Sequence, residues 1–316
     1  MQEMVEPETA GNPMNAEKWV RNSLQHLSEK LKGQGHAACP KTVGRLLKDL
    51  KYSLKANVKR RAGSQHPDRN TQFEYIEAQK RLFRGQGWPI VSLDGKKKEL
   101  IGNFKNAGQA WCLEAEVVND HDFESASQGR ATPYGIYDVN HNRGYVYVGQ
   151  SADTAEFAVD ALSGWWQQFG QVEFPNAPCL LALCDCGGSN GYRSRLWKAQ
   201  LQDKLAEALG MTVMVCHYPT GTSKWNPIEH RLFGPISINW AAKPLRTIET
   251  LLACIRGTTT KTGLQVAAFL SEKVYERGIK ITDEVMQSLN LTRHATCGIN
   301  LVGEWRNGGL EAQICP

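Results

Sequence analysis

A chain of 316 residues is longer than one minimal domain and suits two, one of them with a substantial core. Its 41% hydrophobic and 22% charged residues exclude collagen-like, fibrous and wholly disordered classes, and no apolar run approaches the roughly 20 residues that span a bilayer. A net charge of +5 is too small by itself to demand a polyanionic partner, so any such signal must lie in how the charge is distributed.

The start, Met1 to Glu17, is acidic and lacks the apolar centre of a secretory signal. A cytoplasmic protein with no membrane partner is expected, with residues 1–18 as a tail or linker. Leu24, Leu27 and Leu31 share one face of a helix predicted over Ser23–Lys32, stopped by Gly33 and Gly35. Pro40 opens a second helix to about Lys51, with Val43, Leu46, Leu47 and Leu50 as its apolar stripe. Lys41, Arg45 and Lys48 fall on the opposite side. From Lys41 to Arg61 there are eight basic residues against one acid, Asp49, a footprint suited to phosphate or to a solvated helix face. Two short helices with a basic outer stripe describe a helix-turn-helix over 19–62. Residues 63–88, with Gly63, Ser64 and Pro67 and then a polar helical stretch, read as a connector.

From Pro89 the pattern becomes that of a mixed α/β sheet flanked by helices. Ile90-Val-Ser-Leu93 reads as a strand ending at Asp94. Tyr134–Val139 and Tyr145–Val148 form a hairpin around an Asn/Gly turn, and Asp153-Thr-Ala-Glu156 resembles a capping box. Cys179–Cys184 is a wholly apolar strand of the kind buried on both faces, ending at Asp185. A helix over Tyr192–Leu209, a strand at Thr212–His217 and a short helix from Asn226 complete a catalytic domain over 89–240. The remainder, 241–316, reads as a mainly helical extension. The nine cysteines are scattered and odd in number, which argues against a disulfide framework. The Cys184-x-Cys186 pair has no partner pair at zinc spacing.

Phosphoryl transfer on DNA needs an activated oxygen nucleophile and neutralisation of charge at the scissile phosphate, and two divalent ions supply both. Magnesium prefers carboxylate oxygens, and strand ends present such groups to the crevice beyond a sheet. Asp94, Asp185 and Glu229 are therefore the candidate catalytic and metal-holding residues, with Asp138 in reserve. Each also has a plainer reading: Asp94 and Asp185 as turn residues, and Glu229 in Asn226-Pro-Ile-Glu229 as part of a helix cap. Lys96, Lys97 and Lys98 are candidate phosphate contacts or a solvated turn. Ser189, Asn190 and Arg193 suit phosphate binding or capping. Lys224 is a candidate DNA grip, Trp225 a stacking or core residue, and His230 a metal or proton ligand or a surface histidine.

The segments Ser92-Leu-Asp-Gly-Lys-Lys-Lys-Glu-Leu-Ile-Gly-Asn-Phe-Lys-Asn106, Asp185-Cys-Gly-Gly-Ser-Asn-Gly-Tyr-Arg193, His217-Tyr-Pro-Thr-Gly-Thr-Ser-Lys-Trp-Asn-Pro-Ile-Glu-His-Arg-Leu-Phe233 and Thr258-Thr-Thr-Lys-Thr-Gly-Leu264 resemble the Rhodopirellula-type transposase family, insertion-sequence enzymes of the ISAzo kind. The likeness runs from about Glu6 to Gly303-Glu-Trp305. It implies an RNase H-like fold and a DDE triad formed by Asp94, Asp185 and Glu229. It further implies Mg2+, with Mn2+ as a substitute, and double-stranded DNA, both transposon ends and target, as partner. A homo-oligomer is expected because synapsis joins two ends. Cys186 and Pro227 depart from the family's pattern, and a further DNA-binding segment upstream is expected of family members, which makes this chain read as N-terminally short. Two other readings remain open at this point: a DNA-binding protein without catalysis, and a nuclease of the same fold without strand transfer.

Overall fold

The computed structural model describes residues 9–11, 18–20, 23–52, 68–293 and 298–302. The chain forms two compact units, 1–62 and 63–316. Most of the acidic start, the basic residues Lys55, Lys59, Arg60 and Arg61, and the Gly303–Trp305 motif lie outside the described residues.

In the first unit, strands β1 (Thr9–Gly11) and β2 (Lys18–Val20) pair antiparallel. Helix α1 (Leu24–Gly33) is capped by the Ser23 side chain, which accepts from the His26 N–H at 3.2 Å. Helix α2 (Pro40–Asp49) begins on its proline. The expected leucine spacing does bring the helices together: Leu27, Leu31 and Val43 are buried, with Ala38 and Leu47 packed against them. Lys41, Arg45 and Lys48 are all exposed.

The second unit is built on a mixed sheet. Its strands are β3 (Ile90–Gly95), β4 (Glu99–Leu100), β5 (Arg130–Asp138), β6 (Arg143–Gly149), β7 (Cys179–Cys184), β8 (Thr212–His217), β9 (Gln265–Ser271), β10 (Leu291–Arg293) and β11 (Gly298–Val302). They lie in the order β10-β11-β8-β7-β3-β5-β6-β9, with β4 pairing with β5 at the side. At the centre β3 runs antiparallel to β5 and β5 to β6, whereas β3, β7 and β8 are parallel neighbours. This is the RNase H-like arrangement: a meander of three strands followed by two parallel ones added on the other side of the first.

Strand alternation sorts the central residues into two faces. Leu180, Ala182 and Cys184 of β7 join Val91 and Leu93 of β3 beneath helix α4 (Ala155–Trp165) and helix α5 (Arg195–Leu201). Cys179, Leu181 and Leu183 face the other way, with Ile90, Met214 and Cys216. All six residues of β7 are buried, as expected for a strand covered on both sides. Thr154, rather than Asp153, caps α4, its side chain accepting from the Phe157 N–H at 3.2 Å.

Two segments hold more structure than their sequence suggested. The segment read as a connector contains an 18-residue helix, α3 (Arg69–Gln86), that belongs to the sheet's cover. Ile76 and Phe83 are wholly buried against Ile90, Leu181 and Met214, because the apolar residues recur at helical spacing within a polar-looking stretch. The extension read as mainly helical has helices α7 (Ile248–Arg256) and α8 (Asp283–Ser288), but also contributes β9, β10 and β11 to both edges of the sheet. Pairing with an existing edge decides their state more than local propensity does. Among the described residues no helix is long and apolar enough to cross a membrane.

Candidate active site

The register of β3 and β7 pairs Leu93 with Cys184, so Asp94 and Asp185 leave the ends of two adjacent parallel strands side by side. Both line a cavity of about 310 Å³, whose rim is formed by Cys186, Gly187 and Gly188 after β7 and by Pro219, Thr220, Gly221 and Ser223 after β8. Glu229 arrives from a third direction, on a π-helical turn, Glu229–Phe233, that leads into helix α6 (Gly234–Asn239).

Glycine lets this turn lie close to the sheet. Gly135 pairs with Asp94 across β3 and β5, and a Cβ added to it would stand 2.6 Å from the Phe233 ring and 2.8 Å from Ile228. A Cβ on Gly144 would fall on Leu232. The absence of both side chains brings the backbone that carries Glu229 down onto the strands beside Asp94.

Both aspartates feel the acids beside them. Burial pushes the Asp94 carboxyl well above the usual carboxylate range, and the negative charges of Asp185 and Glu229, together with a hydrogen bond to Glu229, push it further; only the Gly95 N–H opposes them. That N–H donates to Asp94 Oδ1 at 2.8 Å. Asp185 is also raised, by burial and then by Glu229, against a hydrogen bond from Asn226. The donor set consists of hard carboxylate oxygens, which suits a divalent cation of the magnesium type. The side chains do not stand as a finished coordination sphere, however: among the described residues no group of three or more His, Cys, Asp or Glu is arranged to hold a metal ion.

The remaining candidates separate by environment. Lys96 is turned away from solvent, donating to Glu99 at 3.1 Å and lying over the Trp240 ring at 4.6 Å. Lys96 and Lys97 line a second cavity with Glu229, while Lys97 is exposed and Lys98 half-buried. Arg193 is exposed and donates to the Tyr192 hydroxyl at 2.8 Å. Lys224 is exposed beside Trp225, itself 56% exposed and packed edge-on against Phe73, so the core reading of Trp225 does not hold. His230 is hydrogen-bonded through Nε2 to the Lys224 carbonyl. Asn190 is fully buried, donating to the Leu93 carbonyl at 3.1 Å, and the following helix is capped by Ser194. The reserve acid Asp138 lies at the far end of β3, paired with Val91.

Asn226 and Ser92 lie among the candidate acids, and the sequence reading passed over both. Asn226, read as a helix cap, is wholly buried with its side chain turned toward Ser92, Leu93 and Asp185. Its signal was its position three residues before Glu229, a place that also suits a cap.

The strand order defines an RNase H-like α/β domain with acids where its two central parallel strands end. The Rhodopirellula transposase DDE domain model matches residues 1–305, and the chain belongs to that family. No curated protein matches it. Among solved structures it is similar to the Mos1 transposase paired-end complex with left transposon end, at 13% identity and a TM-score of 0.44, over 73% of this chain and 64% of that one. A pre-cleavage Mos1 transpososome matches at 11% and 0.42 over the same shares, and the Mos1 paired end complex with Mg at 13% and 0.42. The match thus spans less than two thirds of those chains.

Proposed function

We propose that this DDE-family chain cuts insertion-sequence DNA and joins it to a target, with Asp94, Asp185 and Glu229 as the catalytic acids. These three residues would hold Mg2+, or Mn2+ in its place. Such ions, when bound, supply an activated oxygen nucleophile at neutral pH and offset the charge of the reacting phosphate. The carrying observation is geometric: Asp94 and Asp185, from the ends of adjacent strands, line one cavity, and Glu229 from a third segment is close enough that its charge raises both aspartates, a crowding that a cation would relieve.

The chain's own contribution is geometric. Asp94 and Asp185 line a single cavity from rigid strand ends, while Glu229 lines a second cavity and still reaches Asp94 with its charge and a hydrogen bond. Lys97 lines the cavity of Glu229 and, with half-buried Lys98 and the exposed Arg193 and Lys224, would supply phosphate contacts, with Lys96 held to a supporting role by Glu99. The exposed face of Trp225 offers a stacking surface for a base. In the first unit, Lys41, Arg45 and Lys48 form the basic face of a DNA-binding helix pair. Synapsis of two ends implies a homo-oligomer on DNA.

A strand-cleavage assay on DNA carrying the element's own ends, with Mg2+ or Mn2+, tests the reading. Loss of cleavage in Asp185→Ala with DNA binding retained is the expected result, and equal cleavage in that variant would refute it. Joined products are expected with target DNA; hydrolysed ends alone would make the chain a nuclease, and binding without any cleavage a DNA-binding protein only.

A further inference from the structure

Three segments far apart in sequence must keep their acids in register, and the acids repel one another. Something else has to hold the segments. Ser92 and Asn226 are both wholly buried and lie where all three segments meet. The Ser92 hydroxyl donates to Asn226 Oδ1 and accepts from the Ile228 N–H at 3.1 Å. Asn226 Nδ2 donates to Asp185 Oδ1 at 3.1 Å and reaches the Leu93 carbonyl at 3.4 Å. Each contact is next to an acid. Ser92 is two residues before Asp94 on the same face of β3, Leu93 adjoins Asp94, Ile228 adjoins Glu229, and Asp185 is touched directly.

We infer that Ser92 and Asn226 are positioning residues of the active site, a buried hydroxyl–amide pair that sets the spacing of Asp94, Asp185 and Glu229 toward a shared cation. The inference rests on the reading of those acids as metal-holding. Its physical basis is that the pair contributes no charge. An amide N–H aims the Asp185 carboxylate without neutralising it, whereas a lysine or arginine in that place would compete with the cation. Asn226 also uses both ends of its amide, so it fixes the distance between β3 and the Asp185 carboxylate as well as the orientation of each.

The test is Mn2+ binding by the full chain, read by electron paramagnetic resonance without DNA, with folding checked by circular dichroism. Asn226→Ala is expected to stay folded and weaken Mn2+ binding by about tenfold or more, the usual consequence of removing a partner behind a ligand. A matched pair at the other position separates the hydroxyl from the packing: Ser92→Thr and Ser92→Val have nearly the same shape. Thr, which keeps the hydroxyl, should bind Mn2+ close to wild type, and Val about tenfold more weakly. Equal binding by the Thr and Val variants, or wild-type affinity in folded Asn226→Ala, overturns the inference. If Asn226→Ala does not fold, the Ser92 pair decides alone. Mn2+ binding absent from the wild-type chain, or undiminished in Asp185→Ala, overturns the metal reading itself and is distinguishable from either result.

Discussion

Asp94 and Asp138 each stand at the end of a strand, at opposite ends of the β3–β5 pairing, and their surroundings differ in sign. Asp138 is 2% exposed, yet its oxygens are fully used. Oδ1 accepts from the Asn140 and His141 backbone N–H groups at 2.9 and 3.2 Å, and Oδ2 meets His141 Nδ1 at 2.9 Å. Beyond it, Arg143 is paired with Glu173 at 2.9 Å. Asp94 receives one backbone N–H and otherwise faces acceptors, Asp185 and Glu229. A strand-end carboxylate surrounded by donors makes a turn. One surrounded by carboxylates carries a cost to the fold that a proton or a cation must remove, and that cost is a mark of function.

The contrast can be broken most severely at the site end. Asp94→Asn is expected to lower metal-dependent cleavage by about 10³-fold, corresponding to several kcal/mol of lost charge stabilisation. Its thermal midpoint should equal or exceed that of wild type, because the amide is neutral at any pH and removes the cost of ionising a buried carboxyl among like charges; a clear fall in melting temperature would assign Asp94 to the fold instead. Gly135→Ala affects both properties. The added methyl meets Phe233 and Ile228, so a loss of about 1–3 kcal/mol in urea unfolding is expected, with reduced cleavage as the Glu229 turn is pushed off the sheet. Full activity in that variant would show that the close approach is not needed.

Asp138→Ala should do the reverse of Asp94→Asn. It removes the acceptor of two part-buried backbone N–H groups and costs roughly 1–2 kcal/mol, while cleavage per folded molecule is unchanged. The smallest effect is one of pH. His217, at the end of β8, is buried with Nε2 at 3.0 Å from the Asn190 carbonyl, and burial lowers its pKa to about 4. Its neutral form is therefore favoured in the fold. The associated stability is fully present above the unfolded value of about 6.5 and is lost as pH falls from there toward 4, by roughly 1–2 kcal/mol at pH 5. Urea titrations at pH 7.5 and 5.0 should show this difference shrinking in His217→Gln.

Much of this domain was legible in the sequence because its central strands are buried on both faces. Cys179–Cys184 and Thr212–His217 were read with the bounds the structure gives them, since no polar residue interrupts either run. The edges were not legible. Gln265–Ser271 and Leu291–Arg293 are strands because β6 and β11 are there to pair with, and pairing of that kind leaves no local pattern. The same division runs through the site. Asp94 and Asp185 announce themselves by closing apolar strands, whereas Ser92 looks like any polar residue in a strand and Asn226 like any cap. Their roles come from contacts across more than 130 positions of chain, which spacing along one segment does not reveal.

The π-helical turn at Glu229–Phe233 has one more consequence. A wide turn contains about one residue more than an α-helical turn over the same rise, so deleting a single residue there would restore ordinary winding. Everything downstream would then rotate by about 100° relative to what precedes it. Leu232 and Phe233 would lose their seats over Gly144 and Gly135 while Asn226 stayed fixed on Ser92. Drift by insertion or deletion is thus closed to the stretch from Asn226 to Phe233.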